Sequence, residues 1–421
     1  MRKGDEMMGS QISGFYKMSI EERLKIIKEK AGLSEEDLKS LADGLPLKTA
    51  DMMVENLIGE LQVPLGIAAH FRVNGRDYLI PMATEEASVV AAASHAAKLA
   101  LPEGFHTSST RPVMRGQIQI VDLKYTESAS KTILASKKEL IEQANRLAGS
   151  LPSLGGGVID MTVKSFQAPK KMLIVEFFID CRDAMGANAV DMVVEGIAPE
   201  IESMVKGRAL LKILSNLATE RMVKAKVTYK SGSIGGPSVV AGVVDAYNFA
   251  VADPYRAATN NKGIMNGISA IALATGNDTR AVEAGAHAFA SLTGKYMPLS
   301  KWWKDKNGDI VGELEMPLAV GIVGGATKTH PVAQLALKIL GVKSATELAE
   351  VACALGLAQN FAALRALVTE GIQKGHMELH ARNVAVMAGA SGDQIETVAE
   401  MLVKEKNVKV SRAKEILLGF Q

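Results

Sequence analysis

Lys262 stands in DPYRAATNNKGIMNG, a glycine- and asparagine-rich stretch embedded in apolar sequence, and a TGND segment carries Asp278 sixteen residues later. This composition predicts that the lysine and the carboxylate both sit on turns. A partly buried ammonium can polarise a carbonyl or stabilise a developing oxyanion, and a neighbouring aspartate would keep it charged and oriented. An ordinary structural ion pair would use the same residue types, and the residues alone leave both readings open.

Three other places carry side chains or backbone suited to chemistry. Glu85 and Glu86 lie where a strand pattern gives way to a helical one. The helix dipole favours carboxylates there, yet an apolar or like-charged setting would make one of them a general acid. His376 and His380, in KGHMELHARN, are four residues apart and share a face if the helix is continuous, a spacing that also suits zinc. The metalloprotease pattern needs glutamate directly after the first histidine, whereas Met377 intervenes here and neither a cysteine nor a third histidine is near. The expectation is therefore no metal. His376, beside Gly375 at a hinge, would be either a proton donor to a leaving group or a plain surface histidine. The run KMLIVEFFIDCRDAMGANAVDMVVEGI reads strand, tight turn, helix, and frees backbone N–H groups near Gly186 for a phosphate. It lacks G-x-G-x-x-G, and GIVGGATKTH fails the P-loop spacing, so neither a Rossmann unit nor a P-loop is indicated. The turn in LGGGVIDM reads as a connector.

The elements that must hold these groups follow from periodicity. SIEERLKIIKEKAGL and SEEDLKSLADG form a peripheral helical pair, with Ser34 as an N-cap and Gly44 as a stop. HFRVNGRDYLIPM is a hairpin around Asn74-Gly75, followed by the helical TEEASVVAAASHAAKLA. From 112 the strands RGQIQIVDL, GVIDMTVKSF and KMLIVEFFID alternate with the helices KKELIEQANRLAG and ANAVDMVVEGIAPEIESMVKG, a mixed α/β insert. Alanine-rich helices follow 220, with small residues suited to close packing. GDQIETVAEMLVKEKNVKVSRAKEILLGF ends the chain as two amphipathic helices, a small flap.

Composition narrows the class. At 421 residues the chain holds two or three domains, and 48% hydrophobic with 22% charged residues is globular. Lysine plus arginine (48) nearly match aspartate plus glutamate (46), so the net charge of +2 offers a polyanion no strong field. Cys181 and Cys353 cannot build a disulfide framework, which fits a reducing compartment. The most apolar stretch, VVAAASHAAKLAL (89–101), is shorter than a membrane span and carries His95 and Lys98. MRKGDEMMGSQ lacks the apolar core of a signal peptide. A cytoplasmic protein with no membrane span is expected.

Nine segments, in order, resemble the class II 3-hydroxy-3-methylglutaryl-CoA reductases: ENLIG, PMATEEASVVAAAS, RDAMGAN, ILSNLA, DPYRAATNNKGIMNGI, TGND, GGATKTHP, GLAQN and GHMELHARN. The resemblance implies an α/β (α+β) fold. A large helix-rich substrate-binding domain (1–111 and 220–371) would carry an inserted small, ferredoxin-like, non-Rossmann dinucleotide-binding domain (112–219). A C-terminal helical flap (372–421) would follow. It implies four-electron reduction of 3-hydroxy-3-methylglutaryl-CoA by NADPH or NADH to mevalonate and CoA, through a mevaldehyde-level intermediate. Position by position, Glu86 would donate a proton, Lys262 would stabilise the carbonyl and hemithioacetal oxygen, Asp278 would tune both, and His376 would protonate the departing thiolate. Ser88, Arg256 and Asn266 would hold the substrate, an arginine suiting its carboxylate. Asp183, Met185, Gly186 and Asn188 would form the dinucleotide site. The family implies a homodimer, or an assembly of dimers, with the site between subunits and ENLIG contributing, and no membrane region in the soluble class. Asn260 departs from relatives with histidine there, while keeping hydrogen-bonding capacity. A CoA- or nucleotide-binding protein without turnover is the alternative, against which all four catalytic positions being filled counts.

Overall fold

The computed structural model describes residues 9–369, 371 and 381–419. Two helices, α1 (Ile20–Ala31) and α2 (Glu35–Asp43), begin with capping boxes, Ser19 with Glu22 and Ser34 with Asp37. Each serine oxygen accepts a first-turn N–H that has no partner within the helix. Gly32 and Gly44 end them, and α3 (Leu47–Met53) follows. The hairpin of β1 (Leu65–Val73) and β2 (Arg76–Ala83) turns at Asn74 and Gly75, whose φ values of 49° and 81° are those an Asn-Gly turn adopts. Then come α4 (Val89–Leu99) and β3 (Phe105–Ser109).

From Val113 the chain runs strand, helices, strand, strand, helix, strand. These are β4 (Val113–Val121), α5 (Thr126–Ala135), α6 (Lys137–Leu147), β5 (Gly157–Phe166), β6 (Met172–Asp180), α7 (Ala187–Val205) and β7 (Arg208–Ser215). The sheet order β5-β6-β4-β7, antiparallel throughout, is that of a ferredoxin-like unit. Period-two alternation along β4 buries Ile118 and Ile120 and leaves Gln117 and Gln119 half-buried. The inward set joins Val190, Val194 and Ile197 of α7 in a separate core.

After β7 come β8 (Met222–Tyr229), α8 (Ser231–Ile234), α9 (Pro237–Ala252), α10 (Pro254–Ala274) and α11 (Thr279–Ala290). The hairpin β9 (Ser300–Lys304) and β10 (Ile310–Pro317), then α12 (Gly325–Thr329), α13 (Pro331–Leu340) and α14 (Ala345–Val368), complete the larger part. Its sheet runs β2-β1-β3-β8-β10-β9. At the C-terminus the expected helix pair is present, Gln394–Lys404 and Val410–Leu418, around Val398, Leu402 and Ile416.

Three expectations need correction. Lys262 is not on a turn, because α10 is a continuous 21-residue helix with Lys262 near its middle. Asp253 caps it by accepting from Tyr255 N (3.0 Å), and Pro254 fills the first turn, where no N–H is needed. Asn260 and Asn261 normally compete with helix by bonding their own backbone. Here both side chains are spent on tertiary partners. Asn260 Oδ1 accepts from Asn360 Nδ2 (2.9 Å); Asn261 donates to Met297 O and accepts from Leu299 N (both 2.9 Å). The part after 220 is not made of helices alone, because β8 and the β9–β10 hairpin, with Trp302 and Trp303, interrupt them. Stretch 89–101 is also not the most membrane-like, since α14 alone among the described residues is long and apolar enough to cross a bilayer. From Val351 to Phe361 every residue of α14 is buried, the pattern of a helix enclosed by protein on all sides.

α10 lies against α14 through glycines. A Cβ on Gly356 would stand 2.7 Å and 2.8 Å from Ile268 side-chain carbons, and one on Gly267 would stand 3.2 Å from Leu355 O. Ile264 and Ile268 are fully buried and cannot step aside. Gly356→Val is expected to destabilise the protein by about 1–3 kcal/mol, measured by denaturant unfolding, and an unchanged midpoint would contradict this packing.

Candidate active site

Lys262 projects from the exposed face of α10, and Asn266, one turn on, shares it. The Lys262 ammonium donates to Glu86 Oε2 at 2.7 Å, both side chains reaching solvent. Glu86 sits in the bend between β2 and α4, its own N–H donating to Thr84 Oγ1 (3.2 Å). Ser88 closes that bend with φ 74°. A lysine and a carboxylate remote in sequence thus meet on an accessible surface. Arg256 and Asn266 are half-buried, and among the described residues neither side chain has a hydrogen-bond or ion-pair partner. Burial pushes the pKa of the Arg256 guanidinium down from its ordinary value, and its unpartnered donors suit an anion.

Asp278 is held elsewhere. It caps α11, accepting from Arg280 N (3.0 Å) and Ala281 N (3.1 Å), with Arg280 Nε 3.3 Å from it. Burial raises its pKa, but the Ala281 N–H and Arg280 outweigh this and hold the carboxyl below the usual range. About 18 Å of helix separates Lys262 from Ala274, and Asp278 lies beyond that end. Among the described residues, no hydrogen bond or ion pair joins Asp278 to Lys262 or Glu86.

The Asp278 turn adjoins the glycine-containing turn 182–188 instead. Asn277 Nδ2 donates to Gly321 O (3.1 Å), and Gly321 N donates to Asn277 Oδ1 (2.7 Å). A Cβ on Gly321 would stand 2.5 Å from Met185 N, so only glycine lets the two segments touch. Ala184 also bridges to Val323. Gly186, at φ 114°, turns the chain into α7, which has no side-chain N-cap. A Cβ there would meet Cys181 Sγ at 2.6 Å. The uncapped first turn of a 19-residue helix, with Asn188 exposed in it, suits the phosphates of a dinucleotide. Asp183 is engaged structurally: its carboxylate accepts from Ala345 N at 2.9 Å, at the start of α14. Sequence reasoning set aside GIVGGATKTH for its spacing; only the fold shows Gly321 between the two turns. His376 and His380 lie outside the described residues.

The hydroxymethylglutaryl-coenzyme A reductase family profile matches residues 19–381. The 3-hydroxy-3-methylglutaryl-coenzyme A reductase of Archaeoglobus fulgidus is 54% identical over 413 residues, covering 97% of this chain and 94% of the relative.

The chain belongs to the hydroxymethylglutaryl-CoA reductase family.

A 3-hydroxy-3-methylglutaryl-CoA reductase structure from Streptococcus pneumoniae is 40% identical, with a TM-score of 0.83 over 97% of this chain and 99% of that one. A class II enzyme of that organism, bound to NADPH in open conformations, superposes with a TM-score of 0.81 at 40% identity, over 96% of this chain and all of that one. The expected family and mixed helix-and-sheet fold are thereby shown. Hydroxymethylglutaryl-CoA reductases are NAD(P)H-dependent oxidoreductases, and the chain is placed among them.

Asp278→Ala removes a helix cap and is expected to cost about 1 kcal/mol near neutral pH. A depressed carboxyl contributes stability above its unfolded pKa and loses it as pH falls through the folded value. The gap between variant and parent should therefore narrow at acid pH, read from denaturant midpoints across a pH series.

Proposed function

We propose that this protein reduces 3-hydroxy-3-methylglutaryl-CoA to mevalonate and CoA in the mevalonate pathway, taking two hydrides from NADPH or NADH. The observation that carries the reading is the Lys262–Glu86 pair, opened to solvent by α10. The bound nicotinamide supplies the hydride, and this chain's residues handle charge and protons. Lys262 stabilises the carbonyl oxygen as negative charge grows on it, and again in the hemithioacetal. Glu86, the partner of Lys262, takes up a proton from solvent and delivers it to that oxygen. His376 protonates the thiolate as CoA leaves, and a second reduction converts the aldehyde to mevalonate. Ser88, Arg256 and Asn266 hold the substrate's carboxylate and hydroxyl, Arg256 having unspent donors. Asp183, Met185, Gly186 and Asn188 shape the dinucleotide turn. Asp183 does so through the start of α14, and Asn188 from the uncapped first turn of α7.

Asp278 tunes Lys262 and Glu86 from a second copy of the chain. One copy offers the Lys262–Glu86 pair and, apart from it, the Asp278 turn beside the dinucleotide turn, so a homodimer would bring the halves together. The segment carrying ENLIG supports this: Met52 is 77% exposed, Leu61 92%, and Ile58 fully, more apolar surface than one short stretch normally leaves in water. Residues 1–111 with 220–371 form the substrate domain, 112–219 the dinucleotide domain and 372–421 the flap carrying His376. The protein works in the cytoplasm, a setting supported by two buried free cysteines and the enclosure of α14.

Nicotinamide absorbance should fall only when 3-hydroxy-3-methylglutaryl-CoA is added, with one free thiol released per two cofactors consumed. Lys262→Ala should lower turnover at least about 100-fold with its melting transition retained, and near-normal rates would refute the role. Asp278→Asn keeps a capping oxygen, so it should lose activity and not stability. Co-expressed with Lys262→Ala, it should recover about a quarter of wild-type activity, since half of random dimers would hold one intact site of two. No recovery would place both residues in one subunit's site.

A further inference from the structure

We infer that Arg221 is the positioning residue of the dinucleotide turn, holding its peptide groups so that the N–H groups leading into α7 face the bound cofactor. This rests on the reading of that turn as the nicotinamide-dinucleotide site. Arg221 is only 4% exposed. Its Nη1 donates to Ala184 O (3.1 Å) and Met185 O (2.9 Å), and its Nη2 donates to Val320 O. Among the described residues no carboxylate forms an ion pair with it, since nearby Asp180 is taken by Arg111 and Arg182.

A buried cation with no ion-pair partner is costly, and here three backbone carbonyls, together with the field of nearby Asp180 and Asp183, offset that cost. The guanidinium fork fits the task, because one nitrogen spans two successive carbonyls while another reaches a different segment. In a planar trans peptide the C=O and N–H point in opposite directions. Turning the Met185 carbonyl inward to Arg221 therefore turns the Gly186 N–H outward, in line with the free N–H groups of the first turn of α7. The same side chain ties this turn to residues 318–321, and Arg221 O accepts from Leu318 N at 3.1 Å. Gly321, in that segment, bonds the Asp278 turn. Arg221 thus sets the cofactor turn and the Asp278 turn in one register. Burial depresses its pKa to about 10, against the pull of the Cys181 thiol, Asp180 and Asp183, so the charge persists at neutral pH.

Arg221→Lys and Arg221→Met test this with NADPH and 3-hydroxy-3-methylglutaryl-CoA as probes, each affinity measured separately on the full chain. The expected result is NADPH affinity weakened about 10- to 100-fold in Arg221→Met and less in Arg221→Lys. Affinity for the CoA thioester should stay within about twofold, and KM for NADPH should rise more than kcat falls. NADPH affinity unchanged in both variants would overturn the inference. So would equal loss of both ligands, or loss of the fold even in Arg221→Lys, either of which marks a scaffold residue only. Failure of the wild-type protein to bind either NADPH or NADH would instead refute the assignment of the turn, a separate outcome.

Discussion

The approach of α10 to α14 governs where Lys262 stands. With no side chain at Gly267 or Gly356, the helices meet backbone to side chain, and Ile264 and Ile268 fill the gap those glycines leave. Asn260 and Asn360 lock the crossing from within, and Asn360 Oδ1 also accepts from Ser300 Oγ (2.8 Å) and Trp302 Nε1 (2.7 Å) of β9. Buried polar groups satisfied in this way specify one arrangement, because any sliding would leave amides unbonded in a dry interior. One face of α10 is thus fixed in the core, and the opposite face carries Lys262 out to Glu86. Asn260 serves this internal lock, and among the described residues no hydrogen bond joins it to the Lys262 side chain.

The proposed site residues fall into two sets. The Lys262–Glu86 pair belongs to the helices and hairpin of the larger sheet. The Asp278 turn shares Gly321 with the turn of the ferredoxin-like unit, and Arg221 and Asp183 anchor that unit to residues 318–322 and to α14. Side-chain amides fix the helix that bears the first set, and hydrogen bonds between side chains and backbone hold the second. Such preorganised donors and charges favour a developing oxyanion without reorganisation during reaction.

Much of this was legible in the residues. Asn74-Gly75, Ser34 and Gly44 act locally, and each sits in the conformation its chemistry favours. The strands of the insert could be read because alternation survives where a sheet buries one face. What misled were residues whose meaning is tertiary. The glycines and asparagines of DPYRAATNNKGIMNG punctuate a chain when free, but here they serve a helix crossing, and packing overrides their turn preference. Gly321 and Arg221 gave no local signal, since their partners lie far off along the chain. Among the proposed site residues, the pairing of Lys262 with Glu86 is visible in the fold, whereas the separateness of Asp278 could not be foreseen from a spacing of sixteen residues.

The chain enters and leaves the ferredoxin-like unit at the end of one ladder. β3 and β8 pair up to Ser109 and Val223, Thr110 N donates to Met222 O at 2.9 Å, and the whole unit lies between those neighbouring points of the chain. It therefore resembles a cassette set at the end of a hairpin, joined where two strands already run side by side. Exchange of such a cassette leaves the length and register of the larger sheet untouched, so the unit proposed to hold the dinucleotide can vary without redesign of the part that carries Lys262. The segment 318–323 is the counterpart a graft must match, because Gly321 and the carbonyl of Val320 are where the cassette docks.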